Sequence, residues 1–260
     1  RIFSDPFFAA TVAGVVETLE ETAHQVVLLM RSRGGGTERL ADYLEGNHAD
    51  GVVVISHHRE DHLPAMIGRS GIPAAFVGRP ITTVPSLQYA DVDNRAGGRM
   101  AAEYLATTGS RTVAAIAGPL DMAAAVDRLE GWREGLANAG LDNTIWYEGD
   151  FTVATARALA VRILRERPEV DGILAASDLT ASGVLTALHA AGRAVPGDVR
   201  VVGFDDSPVA LETDPPLTTV TNPGRELAAA ATRMVLAALD GRPFPAPVIL
   251  QPRLVVRSSA

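Results

Sequence analysis

Three side chains that could bind a polyol follow two predicted strands of this chain. Ser177 and Asp178 come directly after the apolar run 172–176, and Asp205 comes directly after the run 199–204. Because open α/β sheets bind ligands at the carboxyl ends of their strands, all three lie where a ligand is expected. Asp178 is also suited to cap the helix that follows, and an acid after a strand often caps a turn. The spacing alone does not decide whether Asp205 binds a ligand or caps a turn.

The elements around these residues alternate between short apolar strands and amphipathic helices. Such a βαβ alternation predicts parallel sheets with right-handed crossovers. Asp5 is a suitable N-cap for the first helix, with Pro6 at its first position. The predicted strands are 25–30, 51–55, 74–77, 87–92, 112–117, 144–147, 172–176, 199–204 and 247–256. The predicted helices include 6–23, 37–45, 60–69, 95–107, 123–139, 152–167 and 223–239.

The number of strands predicts two sheets, because a single layer of ten or more parallel strands would be unusual. The alternation starts afresh after Val92 and Asp93, which places the break there. The tail adds one more helix and strand, so the chain is expected to cross back and make each lobe discontinuous. The predicted N-terminal lobe is 1–92 plus 223–246, and the predicted C-terminal lobe is 93–222 plus 247–260.

Composition excludes several classes of function. The chain of 260 residues has 23 Lys and Arg against 31 Asp and Glu, a formal charge of −8 without a basic block. Nucleic-acid binding by this segment itself is therefore not expected, because phosphate neutralisation needs clustered cations. Without cysteine there is neither a disulfide nor a thiolate metal site. No stretch predicts a membrane span or a signal peptide, and the opening residues are expected to be the tail of a strand preceded by further chain.

Two local patterns suggest a site and are discounted. Gly34–Gly36 lies between a strand and a helix but lacks the Lys-Ser/Thr of a phosphate-binding loop, so a surface loop is expected. His57, His58 and His62 could share a metal, but no fourth ligand is identifiable, so no metal site is predicted. No nucleophile elbow or His-Glu-x-x-His motif occurs, and we expect neither enzyme activity nor a cofactor.

Six segments in order resemble one known family, and together they cover nearly the whole chain. They are DPFFAATVAGVVETLEETAH, VDNRAGGRMAAEYLATTGSRTVAAIAGP, DRLEGWREGLANAGL, ASDLTASGVLTALHAAGRAVPGDVRVVGFDD, PPLTTVTNP and LQPRLVVRSS. The chain resembles the effector-binding core of LacI/GalR-type transcriptional regulators. The resemblance implies a type I periplasmic-binding-protein fold of two Rossmann-like lobes with three crossovers. It also implies a helix-turn-helix headpiece and hinge helix, which normally precede this core and are not in this sequence.

The resemblance implies ligand contacts in the first lobe. Phe7 and Phe8 match an aromatic pair of which at least one faces the ligand; Phe7 is favoured, because Phe8 is in phase with apolar core positions of the helix. Asp5 precedes them where a polar side chain often stands, with capping as its alternative. Arg79 follows the strand at 74–77, although Gly78 replaces the acid that related proteins place before it.

Further contacts are implied in the second lobe. Arg128 matches an Arg that reaches ligand oxygens, with a surface ion pair as its alternative. Phe151 matches an aromatic that closes the cleft, and Ser177 stands where many members have Asn. Asp205 matches the carboxylate that accepts bonds from adjacent sugar hydroxyls. Asn222 matches a polar residue at a crossover, which is equally suited to a hinge turn.

The function we expect is that of a cytoplasmic ligand sensor. A sugar or sugar derivative binds between the lobes and shifts their equilibrium, and operator DNA is bound through the headpiece. A homodimer is expected, with the helix 6–23 or 223–239 at its interface. The alternatives are a secreted sugar-binding protein of a transporter, which shares the fold, and a nucleotide-dependent enzyme on paired Rossmann-like lobes.

Overall fold

Two mostly parallel sheets, each with its own apolar core, are seen in a computed structural model that describes residues 5–30, 40, 42–44, 46, 48–82 and 88–260. The described chain forms two compact units. The first consists of residues 8–91 and 224–250, and the second of residues 5–7, 92–223 and 251–260. The architecture is α/β with two separate, mostly parallel sheets, as the sequence predicts.

The first unit contains a four-stranded sheet in the order β1-β2-β3-β9. Strand β2 is buried along its whole length, and it pairs in parallel with β1 on one side and β3 on the other. Helix α8 packs on β1 and β2. The elements of this unit are α1 (Pro6–Leu19), β1 (Val52–Ile55), α2 (Leu63–Ser70), β2 (Ala74–Val77), β3 (Gln88–Val92), α8 (Gly224–Leu239) and β9 (Val248–Leu250).

The second unit contains a six-stranded sheet in the order β10-β8-β7-β6-β4-β5. All its neighbouring strands run parallel except β10, which runs antiparallel to β8 at the edge. Its elements are α3 (Asn94–Thr107), β4 (Val113–Ala117), α4 (Ala123–Asn138), β5 (Trp146–Glu148), α5 (Val153–Glu166), β6 (Gly172–Ala175), α6 (Asp178–Ala190), β7 (Arg200–Asp205), α7 (Val209–Glu212), β8 (Thr218–Thr221) and β10 (Leu254–Val255).

Both faces of the central strands of the second sheet are covered, which explains why β4 and β6 read as continuous apolar runs. Along β4, Ala114 and Ile116 face a core shared with α5 and α6, whereas Val113 and Ala115 face a core shared with α3 and α4. Trp132 is the largest fully buried side chain of the second core. The parallel strands β4, β6, β7 and β8 therefore end between two helical layers, and their carboxyl-end residues lie at a common edge of the sheet.

Two predicted strands differ from the structure. Residues 25–30 form no strand, because none of the described strands pairs with them, and the side chains from Val26 to Met30 are 40–63% exposed. The predicted strand 247–256 is two short strands in different sheets, Val248–Leu250 beside β3 and Leu254–Val255 beside β8. Strand β8 and helix α7 were not predicted, because Thr218–Thr221 is too polar and Val209–Glu212 too short for their periodicity to stand out.

Other predictions lie wholly or partly outside the described residues. Of the helix 37–45, residues 40 and 42–44 are described and are helical. The loop Gly34–Gly36 and the opening residues 1–4 are not described. The last crossing of the chain follows Leu250, four residues later than the sequence prediction, because β9 belongs to the first sheet.

Candidate functional site

A buried arginine occupies the carboxyl edge of the second sheet. Arg128 lies on α4 and is 4% exposed. Its Nε donates a hydrogen bond to Asn94 Oδ1 at 2.8 Å, and its Nη1 donates to the Ala176 carbonyl at the end of β6. A guanidinium taken out of water needs such partners, because unpaired buried donors cost free energy. The side chain is therefore held in one place rather than on the helix surface.

Two consecutive residues of β7 contact this guanidinium. The Arg128 Cζ lies 3.7 Å from the centre of the Phe204 ring, a cation–π arrangement. Its Nη1 lies 3.6 Å from Asp205 Oδ1, which makes an ion pair with side chains only 5% and 13% exposed. The sequence left open that Arg128 forms a surface ion pair with Asp127 or Glu130. The pair with Glu130 is wrong, because Glu130 pairs with Arg95.

The Asp205 carboxylate uses one oxygen for protein partners. Oδ1 accepts a hydrogen bond from Asn222 Nδ2 at 2.9 Å and faces Arg128, whereas Oδ2 accepts none from the part of the chain that the structure describes. The backbone of Asp205 has a φ of 117°, which is rare for a side-chain-bearing residue. The sequence left this acid between turn capping and hydroxyl binding, and the arrangement leaves one carboxylate oxygen open to a hydroxyl donor.

Burial sets the protonation of the two acids at this edge. It raises the pKa of Asp205 to about 7, the Arg128 guanidinium lowers it, and the neighbouring Asp178 carboxylate raises it. The pKa of Asp178 is raised to about 6, again chiefly by burial, although hydrogen bonds from Thr219 and Ser207 lower it. Desolvation thus outweighs the favourable contacts of both carboxylates, so both titrate near neutrality.

Ser177 and Asp178 follow β6 and are engaged by protein groups. The Ser177 hydroxyl accepts from the Thr180 amide at 3.1 Å, so Ser177, and not Asp178, is the N-cap of α6. This corrects the capping prediction. Asp178 is the first residue of the helix; its Oδ1 accepts from Thr219 Oγ1 at 2.6 Å and its Oδ2 from the Ser207 amide at 2.7 Å. Ligand contact by these two residues stays a prediction.

Phe151 lies beside the end of β4. Its backbone has a φ of 61°, and its ring covers Gly118, where any Cβ would strike the ring. Asp150 holds this turn, because its Oδ1 accepts from the Thr152 amide and hydroxyl. The half-buried ring packs on the core that contains Trp132. Because Gly118 has no side chain, the Phe151 ring can pack directly against its backbone.

The predicted residues at the start of α1 are half-buried. Asp5 Oδ1 accepts a hydrogen bond from the Phe7 amide at 3.0 Å, so Asp5 caps the helix as predicted. Phe7 and Phe8 occupy its first turn. These contacts are compatible with the capping role of Asp5, and ligand contact by Asp5, Phe7 and Phe8 stays a prediction.

In the first unit, polar groups gather at the carboxyl ends of β1 and β2. The Arg79 amide donates to Asp91 Oδ2 at 2.8 Å, and the buried His57 accepts through Nε2 from the Ile81 amide at 3.3 Å. Burial first, and then His58, lower the pKa of His57 to about 4, so His57 is neutral at physiological pH. No cluster of three metal-ligating side chains occurs among the described residues.

Sequence reasoning missed four residues of the second unit's edge: Asn94, Asp206, Thr219 and Arg257. Asn94 orients Arg128 from the start of α3. Arg257 Nη2 donates to Asp206 Oδ1 at 2.6 Å. The only signal in the sequence that could have identified one of them was the position of Asp206 directly after Asp205. Asn94 and Arg257 gave no such signal, because their partners lie 34 and 51 residues away in the chain. The complete edge combines a carboxylate, a guanidinium, an amide and an aromatic ring, which are groups that bind hydroxyls and sugar faces.

Comparison with known proteins agrees with this architecture. Residues 102–260 match the family described as periplasmic binding protein-like domain. The chain is 44% identical over 268 residues to the HTH-type transcriptional regulator CelR of Thermobifida fusca, covering 100% of this chain and 77% of that protein. It is 30% identical to the ribose operon repressor of Halalkalibacterium halodurans, covering 93% of this chain and 71% of that repressor.

A solved structure described as a transcriptional regulator CelR–cellobiose complex superposes with a TM-score of 0.95 at 42% identity, covering 100% of this chain and 80% of that one. The described residues include no helix long and apolar enough to cross a membrane. The relatives are transcriptional regulators, which does not favour a transporter's binding protein. The chain therefore belongs to the LacI family of transcriptional regulators and is the effector-binding core, with a periplasmic-binding-protein-like fold.

Proposed function

We propose that this core binds a sugar of the cellobiose type at the carboxyl edge of the second sheet. The carrying observation is the Asp205 carboxylate, with Oδ1 occupied by Asn222 and Oδ2 accepting no hydrogen bond within the described chain. A carboxylate so held accepts bonds from sugar hydroxyls, each worth roughly 1.5–3 kcal/mol. The similarity to a regulator solved in complex with cellobiose supports this class of ligand.

The other residues of this edge have separate roles in the proposal. Arg128 lowers the pKa of Asp205 against the effect of burial, and in the proposal its guanidinium also contacts ligand oxygens. Phe151 stacks on the apolar face of a sugar ring, which is favourable because aromatic contact area is large. Ser177, which directly follows Ala176 at the end of β6, is another ligand contact in the proposal. Asp5, Phe7, Phe8 and Arg79 are further contacts in the proposal, based on the sequence resemblance.

The effector acts on transcription by shifting a population. A sugar with different affinities for two states of the regulator moves the equilibrium between them by that difference. Operator DNA is bound by a headpiece outside this sequence, in the cytoplasm, with a coupling of about 1–3 kcal/mol. We expect the sugar to be released unchanged, because the relatives are transcriptional regulators.

A homodimer completes the proposal, with α8 at its interface. An apolar cavity of about 580 Å³ runs along this helix, and charged side chains flank it. Its apolar lining consists of Ala230, Met234, Ala237, Pro243, Pro245, Val248 and Leu250. Sedimentation should give about twice the chain mass of 27.3 kDa, and Ala237→Glu should return the monomer.

Titration with cellobiose tests the sugar assignment. At 100 times its dissociation constant, the sugar should add about 2.7 kcal/mol and raise the melting temperature by roughly 5 °C. Asp205→Asn, which keeps the volume of the side chain, should weaken cellobiose binding at least about tenfold because the charged acceptor is lost. Glu212→Gln removes an exposed carboxylate from the nearby α7 and should change nothing. Equal binding by wild type and Asp205→Asn would refute the proposed site.

A further inference from the structure

The turn that presents Asp205 adopts a backbone conformation that is unfavourable on its own. Asp205 and Asp206 have φ angles of 117° and 52°, and neither is glycine. Such a conformation is unfavourable for a residue with a side chain and persists only where the surroundings fix it. Two successive residues of this kind need support from their surroundings, and the buried Asp178 and the half-buried Arg257 supply it.

Asp178 supports the turn from α6. Its two carboxylate oxygens accept from the Ser207 amide, directly after the strained pair, and from Thr219 Oγ1 on β8. Gly203 on β7 leaves room for this carboxylate, since a Cβ there would approach Asp178 Oδ1 to 2.6 Å. The Asp178 side chain thus links the turn to two neighbouring elements while both of its oxygens are occupied.

Arg257 supports the turn from the C-terminal segment. Its Nη2 donates to Asp206 Oδ1 at 2.6 Å, and its Nη1 donates to the Leu217 carbonyl at 2.8 Å. Its own amide donates to Thr218 Oγ1 at 2.9 Å, which fixes the segment against β8. The ion pair with Asp206 is largely shielded, with side chains 17% and 28% exposed. The planar fork of an arginine suits this double contact, which a lysine cannot reproduce.

We infer that Asp178 and Arg257 are positioning residues for effector binding: they hold the strained turn at Asp205 and Asp206 in the conformation that presents the Asp205 carboxylate. This inference rests on the proposed role of Asp205. Its consequence is that specificity at this edge depends on the C-terminal segment, which lies 51 residues along the chain from Asp206.

The first test needs no ligand. In the 260-residue chain, amide hydrogen exchange at Ser207 should accelerate at least about tenfold in Arg257→Gln and in Asp178→Asn, because local opening of the turn becomes easier. Arg253→Gln removes an exposed arginine from the same segment and is the matched control, with exchange as in wild type. Unchanged exchange at Ser207 in Arg257→Gln would overturn the inference, whatever the sugar does.

The second test separates positioning from general stability. Cellobiose affinity should fall about tenfold in Arg257→Gln, and Arg257→Lys should recover part of it. In the Asp205→Asn background, Arg257→Gln should cost less than about twofold further, because its effect passes through the Asp205 carboxylate. Equal losses in both backgrounds would show a merely structural role and overturn the inference. If wild type fails to bind cellobiose, the proposed ligand is wrong, and the exchange measurement still decides whether the two residues hold the turn.

Discussion

The Arg128 guanidinium carbon lies 3.7 Å from the centre of the Phe204 ring. Phe204 is fully buried, and the residue after it is Asp205, whose Oδ1 faces the same guanidinium at 3.6 Å. One strand end thus supplies both an apolar support and a counter-charge to a buried cation. This relationship ties the carboxylate that we propose binds the sugar to the core of the second unit, so stability and ligand affinity should respond together when Arg128 changes.

Removal of Arg128 should destabilise the protein strongly. Arg128→Ala removes the counter-ion of the buried Asp205 carboxylate and the Nε–H that donates to Asn94 Oδ1, and breaking a buried pair costs about 3–5 kcal/mol. Arg133→Ala removes an exposed arginine from the same helix and should cost less than about 0.5 kcal/mol. Urea denaturation of both variants measures the difference. Similar midpoints would show that the buried pair contributes no stability.

The free energy of unfolding should fall as pH rises from about 4 to about 7 on account of Asp205. Its pKa in the folded protein is raised to about 7, above its ordinary value of 3.8, so the folded state holds more protons than the unfolded state in this window. Asp205→Asn cannot release that proton. Urea denaturation of both proteins at pH 5.5 and 7.5 should show wild type losing stability relative to the variant, and a constant difference would contradict the raised pKa.

Gly118→Ala should move the Phe151 ring. The new Cβ would collide with the outer atoms of the ring, which is half-buried and can swing away. We therefore expect a stability cost below about 1.5 kcal/mol, at the low end for overpacking, together with cellobiose binding as weak as in Phe151→Ala. Calorimetric titration of both variants measures this effect. Wild-type affinity in Gly118→Ala would show that the ring position is unimportant.

Gly98→Ala should separate α3 from α4. A Cβ at Gly98 would collide with the backbone of Arg128, and backbone cannot yield as a side-chain tip does. We expect a loss of roughly 1–3 kcal/mol, the usual cost of overpacking. Gly68→Ala in α2, where a Cβ would meet nothing within 4 Å beyond the helix's own nearby backbone, should instead stabilise by about 0.5–1 kcal/mol through helix propensity. Chemical denaturation of the pair checks both signs, and equal effects would contradict the close helix contact.

Local pattern was sufficient for most elements of the fold. The strand at 74–77 was predicted with its observed ends, because a fully buried parallel strand reads as an unbroken apolar run. The position of Asp205 at a strand end also follows from the sequence, because the apolar run 199–204 ends directly before it. The run at 25–30 shows the limit of the method: its composition is typical of a strand, but strand formation needs a partner, which only the tertiary structure reveals.

The sequence by itself determined the alternation of strands and helices, the family, and the carboxylate at the end of β7. Only the tertiary structure decided how that carboxylate is held. Asn94 is hydrogen-bonded to Arg128, which is 34 residues away in the sequence, and Arg257 is hydrogen-bonded to Asp206, which is 51 residues away. The tertiary fold determines which distant side chains come within hydrogen-bonding distance. The sequence cannot predict these pairs, because a single side chain has no periodic signal that identifies its distant partner.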